Sequence, residues 1–559
     1  MIVSLLLLQA IGNLYLPTLN ADLINNGVIR SDLAYVWRAG QQMLLVVIAI
    51  AVVSFAGVWL SSRVAMAVGR DLRKEVFDSV LDFAEDEFAN FGSASLITRN
   101  TNDVQQILNF VQVALTVMVL APIQAIGGIF MAMRQDLRLS TLLAVAVPLL
   151  AVVIGVVMAR AVPLFRTLQV RIDAVNRVLR EQITGIRVIR AFARDDFETQ
   201  RFEKVNRDLT SNALGVNRLF VVAMPAMMLI LNISTVSVIW FGGHLVERGQ
   251  LQIGTLSAFL SYIMQILVSV LMAVMVIILV PRASASAERI AAVLAVVPSI
   301  SDPVNAVVPG QPRGGVEFRS VSYRYPGAAD AVVADISLLI EAGCFTAIVG
   351  STGSGKTTLL NLIPRLTDAS TGLVLVDGID VRQQGRNALW FGIGLVPQRP
   401  YLFAGTVADN VRLGADSASD EDVWWALEVA QARDFVVELP GQLQANVSQG
   451  GGNFSGGQRQ RLAIARAVVR RPRLYLFDDS FASLDAQTDA NLRAALLREL
   501  SGSTVVVVAQ RISTILDADR IVVLEAGRVV GVGTHGELLE LSAVYQEIVV
   551  SQLGPVARS

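Results

Sequence analysis

The chain has 559 residues, enough for more than one domain. Its formal net charge of −1 offers no basic surplus for a nucleic-acid partner, and its single cysteine, Cys344, excludes an intramolecular disulfide and a thiolate metal cluster. With 53% hydrophobic residues and a mean hydropathy of +0.55, it is too apolar for a soluble enzyme of this size.

The apolar excess lies in the first half. Stretches 1–21, 39–62, 104–133, 139–159, 219–246 and 249–281 contain no Asp, Glu, Lys or Arg. Each reaches the roughly 20 residues that a helix needs to cross about 30 Å of hydrocarbon, so six membrane spans are predicted. The first is not read as a cleaved signal peptide, because no basic segment precedes it and no small-residue cleavage site follows. The long loops 63–103 and 160–218 carry most of the arginines of this half, whereas the alternate loops hold only Arg30, Arg38, Arg134, Arg138 and Arg248. That asymmetry places the long loops in the cytoplasm of a cell membrane, and six crossings return the second half to the same side.

The long loops read as helical continuations of the spans, broken at 86–92 and 192–198, where aromatics stand beside charges. Each break is either a capped turn or a docking knuckle. Within the spans there is almost no charge, and hence no sign of a proton relay. Their polar points are Gln124, Asn232 and Gln265, and methionines gather at Met224, Met227, Met228, Met264, Met272 and Met275. Such methionines are packing residues in the main, but flexible thioethers also suit a cavity for apolar or amphipathic cargo.

Pro298, Pro303, Pro309, Pro312 and Gly314-Gly315 mark a boundary. The predicted organisation is a transmembrane domain over 1–297, a linker over 298–315, and an α/β domain over 316–559 whose strands and helices alternate. Cys344, placed in the strand before a glycine-rich loop, reads as a small buried residue.

That loop is Gly350-Ser351-Thr352-Gly353-Ser354-Gly355-Lys356-Thr357-Thr358, between the β-favouring Phe345–Val349 and a helix-like Leu359–Ile363. Strand, glycine-rich turn and Gly-Lys-Thr opening a helix form a phosphate-binding loop in its required context. Backbone N–H groups and the helix N-terminus receive the phosphates of ATP or GTP, Lys356 reaches the β- and γ-phosphates, and the Thr357 hydroxyl holds Mg²⁺. Upstream, Tyr325 is placed to stack on an adenine, a weak signal by itself. Leu474–Phe477 is an apolar strand that ends in Asp478 and Asp479, the first suited to the Mg²⁺ shell and the second to orienting water. Ser455-Gly456-Gly457 before a helical run is a second anion site. One nucleotide cannot easily use both anion sites of one domain, so the arrangement calls for a dimer with ATP sandwiched between.

The ordered set GSTGSGKTT, Val396-Pro397-Gln398, FSGGQRQR, LYLFDD and Ser483-Leu484-Asp485 resembles the nucleotide-binding domain of ABC transporters. With six spans ahead of it, the whole chain is similar to a half-transporter of the type IV (B-family) exporter architecture. The resemblance implies ATP and Mg²⁺ as cofactors and makes Tyr325 the adenine-stacking residue. It makes Gln398 a ligand of Mg²⁺ and water, and Ser455, Gly456, Gly457 and Gln458 the signature that closes on a partner's ATP. It further makes Asp485 the carboxylate of the loop after the strand, and turns the breaks near 86–95 and 192–199 into coupling helices.

Two positions depart from the family pattern. Asp479 stands where the hydrolysing site has Glu, and Gln510 stands where it has a switch histidine; neither His244 nor His535 is near. Asp is a methylene shorter, and Gln carries no positive charge. Loss of a well-placed general base costs about 10²–10⁴ in rate. A softer departure is Gln449, where many exporters have Glu. The expectation is that this chain's own phosphate loop binds ATP well and hydrolyses it poorly. It then acts as the degenerate half of a heterodimer with a second, non-identical half whose signature is altered. The expected function is ATP-driven export of a hydrophobic or amphipathic compound, a drug or a lipid. A lipid or siderophore importer of the same architecture and a non-transporting ATP-switched receptor stand as alternatives.

Overall fold

The computed structural model describes residues 1–307, 310 and 312–553, without the side chains at 274, 275, 277 and 278. Pro309 and the Met275 side chain, both singled out above, lie outside the described residues. Two units emerge, one of Met1–Val80 and Ala94–Ala295, the other of Leu81–Ser93 and Val296 onward.

The first unit is helical. Its elements are Ile2–Asp22, extended by a π-helical turn over Leu23–Val28, then Leu33–Leu81, Ser93–Gln135, Leu137–Ala191, Asp195–Glu247 and Ile253–Leu294. All six have an apolar stretch long enough to cross a membrane. At 1.5 Å per residue the 55-residue helix Leu137–Ala191 is about 80 Å long, far beyond the hydrocarbon thickness, so the spans run on as helical extensions.

Packing in this unit inverts the soluble pattern. Along Leu33–Leu81 the large residues Leu44, Leu45, Ile48, Val52 and Phe55 are exposed, while Ala39, Gly57, Ser61, Ala65 and Gly69 are buried. Small residues inward let helices approach closely, and large apolar ones meet lipid. A Cβ at Gly69 would lie 2.2 Å from Leu108 Cδ1, so any larger residue there would force the Leu108 side chain to move. The core gathers Leu14, Leu139, Leu143, Phe259, Tyr262 and Ile266, and the Tyr262 hydroxyl donates to the Leu14 carbonyl at 2.8 Å. Gln124 accepts from Ser269 at 3.3 Å, whereas Asn232 is exposed. Of the methionines, Met227 packs against the core, and Met224, Met228, Met264 and Met272 are exposed.

The two loop breaks differ. The first contains a separate short helix, Glu85–Phe91, whose Glu87 accepts from the Ala84 N–H at 2.6 Å and which ends at Gly92 with φ 74°. The second is only a turn at 192–194, so the expected coupling helix near 192–199 is not a separate element. Asp195, Asp196 and Glu198 favour a helix N-terminus at that point, and the chain runs on from Asp195 to Glu247.

The second unit is the expected α/β domain. Its six-stranded sheet has the order Arg528–Gly533, Arg520–Glu525, Phe345–Gly350, Thr504–Val508, Leu474–Asp478 and Ile393–Val396, and it is parallel except for the first strand. Leu474–Asp478 is buried at every residue, as a parallel strand covered on both faces must be. A separate antiparallel sheet pairs Val333–Ile340, Val316–Tyr323, Thr371–Val376 and Ile379–Asp380, an addition to the doubly wound pattern that the sequence reading did not separate. Cys344 is not in the strand. It sits half-buried in the turn that precedes Phe345.

Candidate nucleotide site

Phe345–Gly350 delivers the chain to the phosphate loop at the carboxyl edge of the sheet, and Lys356–Leu362 is the helix that follows. Gly350 has φ 155° and Gly355 has φ 94°; a Cβ at these positions would meet Leu524 O at 2.1 Å and Val332 O at 2.7 Å. The loop can take this path only with glycine there. Ser351, Thr352 and Gly353 form its exposed tip, and Ser354 is buried beneath. Lys356 folds into the loop, its Nζ donating to Gly350 O at 2.9 Å and Ser351 O at 2.7 Å. Burial holds its ammonium below the usual lysine range, offset by Asp479 and Asp478.

Thr357 and Asp478 meet: the hydroxyl donates to Asp478 Oδ1 at 2.9 Å. Burial raises the Asp478 carboxyl above the usual range, with Asp479 adding to the shift and the Thr357 hydrogen bond and Lys356 opposing it. Hard oxygen donors converging next to a phosphate loop fit Mg²⁺, which keeps several waters and needs only one or two protein ligands beside the phosphates. Tyr325 stands beside the loop, its hydroxyl 3.1 Å from Thr358 Oγ1.

Asp479 follows the strand with φ 46°, and its backbone N–H donates to Val508 O at 2.9 Å. Its Oδ2 accepts from Gln510 Nε2 at 2.8 Å and from Gln398 Nε2 at 3.3 Å. The three residues named as catalytic candidates therefore form one network. Burial raises the Asp479 carboxyl, with Gln398 the leading opposing influence. No imidazole joins this network: His535 bonds the Tyr545 hydroxyl at 2.8 Å, and His244 lies in the helical unit.

Ser455 caps the helix Gly456–Val468. Its hydroxyl accepts from Gln458 N at 3.2 Å, and Gln458 Oε1 accepts from Ser455 N at 2.9 Å, a reciprocal capping box. A Cβ at Gly457 would lie 3.3 Å from Ser483 O, so this helix start borders the loop that leads to Asp485. Asp485 caps Ala486–Glu499 by accepting from Thr488 N at 2.9 Å. Thr357, Asp478 and Gln398 line a cavity of about 510 Å³ that includes no residue of 455–458. The chain thus presents a phosphate-loop group and, apart from it, a signature group.

Comparison with known proteins decides the family. Residues 1–270 match the ABC transporter transmembrane region and 333–482 the ABC transporter ATP-binding domain. An uncharacterized ABC transporter ATP-binding protein of Mycobacterium tuberculosis is 48% identical over 557 residues, 99% of this chain and 95% of the relative. The chain belongs to the ABC transporter family. The ATP-dependent lipid A-core flippase of Desulfotalea psychrophila is 32% identical over 94% of this ABC transporter and 91% of its own length. A bacterial Atm1-family ABC exporter with ATP bound has the same fold at 24% identity, with a TM-score of 0.81 over 98% and 97% of the two chains. The chain is an exporter-type half-transporter and a multi-pass membrane protein, and its ATP-binding domain implies ATP hydrolysis coupled to transport.

Several residues of this ABC transporter that set the site escaped the sequence reading. Ser480 is buried and donates to Val396 O at 3.1 Å, tying the segment before Gln398 to the strand that carries Asp478. A hydroxyl directly after two carboxylates was the available signal. Arg511 donates to Ala482 O at 3.1 Å. Gln552, from the C-terminal helix, donates to Gln510 O at 2.6 Å and accepts from Ile512 N at 2.8 Å. Nothing local in sequence marks Gln552, because its partner is 42 residues away.

Proposed function

We propose that this chain is the degenerate half of a heterodimeric ABC exporter in the cell membrane, with its nucleotide domain in the cytoplasm, a placement that the arginine asymmetry supports. One observation carries the reading: the only carboxylate at the hydrolytic position, Asp479, is engaged by two amide groups, Gln510 and Gln398. An amide can orient a carboxylate but cannot take up or release a proton near neutral pH, so the pair supplies position without acid–base chemistry. Lys356, Thr357 and Asp478 would hold ATP and Mg²⁺, and the glycine-lined loop would receive the phosphates. Bound Mg²⁺ neutralises phosphate charge. Ser455 through Gln458 and Asp485 would face the ATP held by the companion half, whose own Glu and His perform the hydrolysis. The transmembrane domain over 1–297 would pass a hydrophobic or lipid-like cargo, in keeping with the flippase named among the relatives. The linker 298–315 and the nucleotide domain 316–559 complete the assignment.

The test is ATPase activity of the purified chain alone and with its companion half. Hydrolysis near background alone and brisk in the pair is the expected result. Rapid turnover by two copies of this chain would overturn the reading.

A further inference from the structure

Of the five arginines on the sparse side of the helical unit, two converge on one pocket. Helix Leu137–Ala191 begins there and helix Asp195–Glu247 ends there, at the end of the bundle opposite to Leu81, Ala191 and Leu294. The pocket encloses about 410 Å³ between Arg138, Arg248, His244, Trp240, Phe241 and Leu142, among others. Trp240 and Phe241 are 65% and 54% exposed, aromatic rings at the position where a bilayer meets water.

The charges there are unbalanced. Arg138 gives one guanidinium donor to the neutral Gln250 side chain at 2.7 Å, and among the described residues no ion pair joins Arg138 or Arg248 to a carboxylate. Asp136, the nearest acid in sequence to Arg138, is committed to its own helix start, accepting from Arg138 N at 2.8 Å and Leu139 N at 2.9 Å. His244 Nδ1 donates to the Trp240 carbonyl at 2.9 Å, so in the neutral ring Nε2 is an acceptor and adds no donor to the pocket. Two forked guanidiniums, above a floor of leucine and aromatic carbon, match a phosphate group that carries acyl chains.

We propose that this pocket binds an anionic phospholipid by its phosphate headgroup, in the leaflet on the arginine-poor side of the spans. The leucine and aromatic walls take the first carbons of the acyl chains, and the arginines take the phosphate oxygens. Nothing in the phosphate-loop chemistry depends on it.

The test uses the assembly as purified from membranes in mild detergent, with phosphatidylglycerol, phosphatidylcholine and inorganic phosphate as probes and native mass spectrometry as readout. Phosphatidylglycerol should be retained over phosphatidylcholine by roughly 25-fold, the product of about fivefold for each of two basic residues at an anionic surface. The double variant Arg138→Gln, Arg248→Gln should lose that preference while keeping ATP hydrolysis in detergent, and Arg138→Lys, Arg248→Lys should retain most of it. Equal retention of the two lipids by the unmodified protein would overturn the proposal. So would displacement by millimolar inorganic phosphate, which would point to a free anion. An Arg248→Cys thiol in a Cys344→Ser background that water-soluble maleimide cannot reach without lipid would also overturn it, and would put the companion chain in the pocket instead.

Discussion

The floor and the rim of the nucleotide pocket arise from the same sheet edge, yet their side chains are satisfied in different ways. On the floor, Lys356 leans on loop carbonyls and Thr357 on Asp478, partners that magnesium and phosphate can replace one for one. On the rim, Asp479, Gln398 and Gln510 satisfy one another. In the proposed reading the site keeps its affinity and loses its chemistry, because binding needs charge and backbone donors whereas hydrolysis needs a carboxylate long enough to reach the water.

The strongest way to break this contrast is Lys356→Ala. Hydrogen bonds to a charged group contribute about 1.5–3 kcal/mol each, so ATP affinity should fall at least about 100-fold in a fluorescent-nucleotide titration. Unchanged affinity would mean that the floor is not the binding site. Next in size, Asp479→Glu combined with Gln510→His should raise turnover at this pocket by about 10²-fold in the assembled pair, the low end of what a positioned base contributes. Asp479→Glu alone should give less, since Gln510 would still hold the carboxylate.

Ser455→Ala separates the two groups of the domain. It should lower hydrolysis by the pair roughly tenfold through about 1.4 kcal/mol of lost interaction, and leave ATP affinity of this chain's own loop unchanged. Loss of the cap should also cost about 1 kcal/mol of domain stability, visible in denaturant unfolding.

Acidity sharpens the floor. Burial raises the carboxyl of Asp478, so on acidification it takes up a proton at a higher pH than an ordinary aspartate. The contribution of Mg²⁺ to ATP binding should fade as the pH falls through that raised value, while Mg²⁺-free binding holds. By linkage, a raised carboxyl pKa destabilises the fold above it. Asp478→Asn should therefore stabilise the empty domain at neutral pH, and the gain should vanish below the usual aspartate range. The smallest effect belongs to Thr358→Val, which removes the hydroxyl partner of Tyr325. One neutral hydrogen bond is about 1 kcal/mol, so ATP affinity should drop roughly fivefold.

Much of this molecule is written locally. The six spans show as charge-free runs, and the phosphate loop shows because glycine spacing and a following helix are features of neighbouring residues. Ser455 and Gln458 also form a local box, but their reciprocal hydrogen bonds appear only once the helix is built. What escaped is long-range or depends on continuation. The Asp479–Gln510 bond joins residues 31 apart, each just past the end of one of two adjacent parallel strands. At 192–198 the residues left a capped turn and a docking knuckle equally open and only the family resemblance implied a helix, because the charged aromatic stretch does not reveal that Asp195 starts a helix of 53 residues. The antiparallel sheet was hidden among strands that alternate with helices, since pairing partners are set by tertiary contacts.

The ammonium of Lys356, seated on the carbonyls of Gly350 and Ser351, has one further consequence. A tethered cation joins the start of the loop to the helix that follows it, so a polyphosphate would bind by an exchange of partners at that cation.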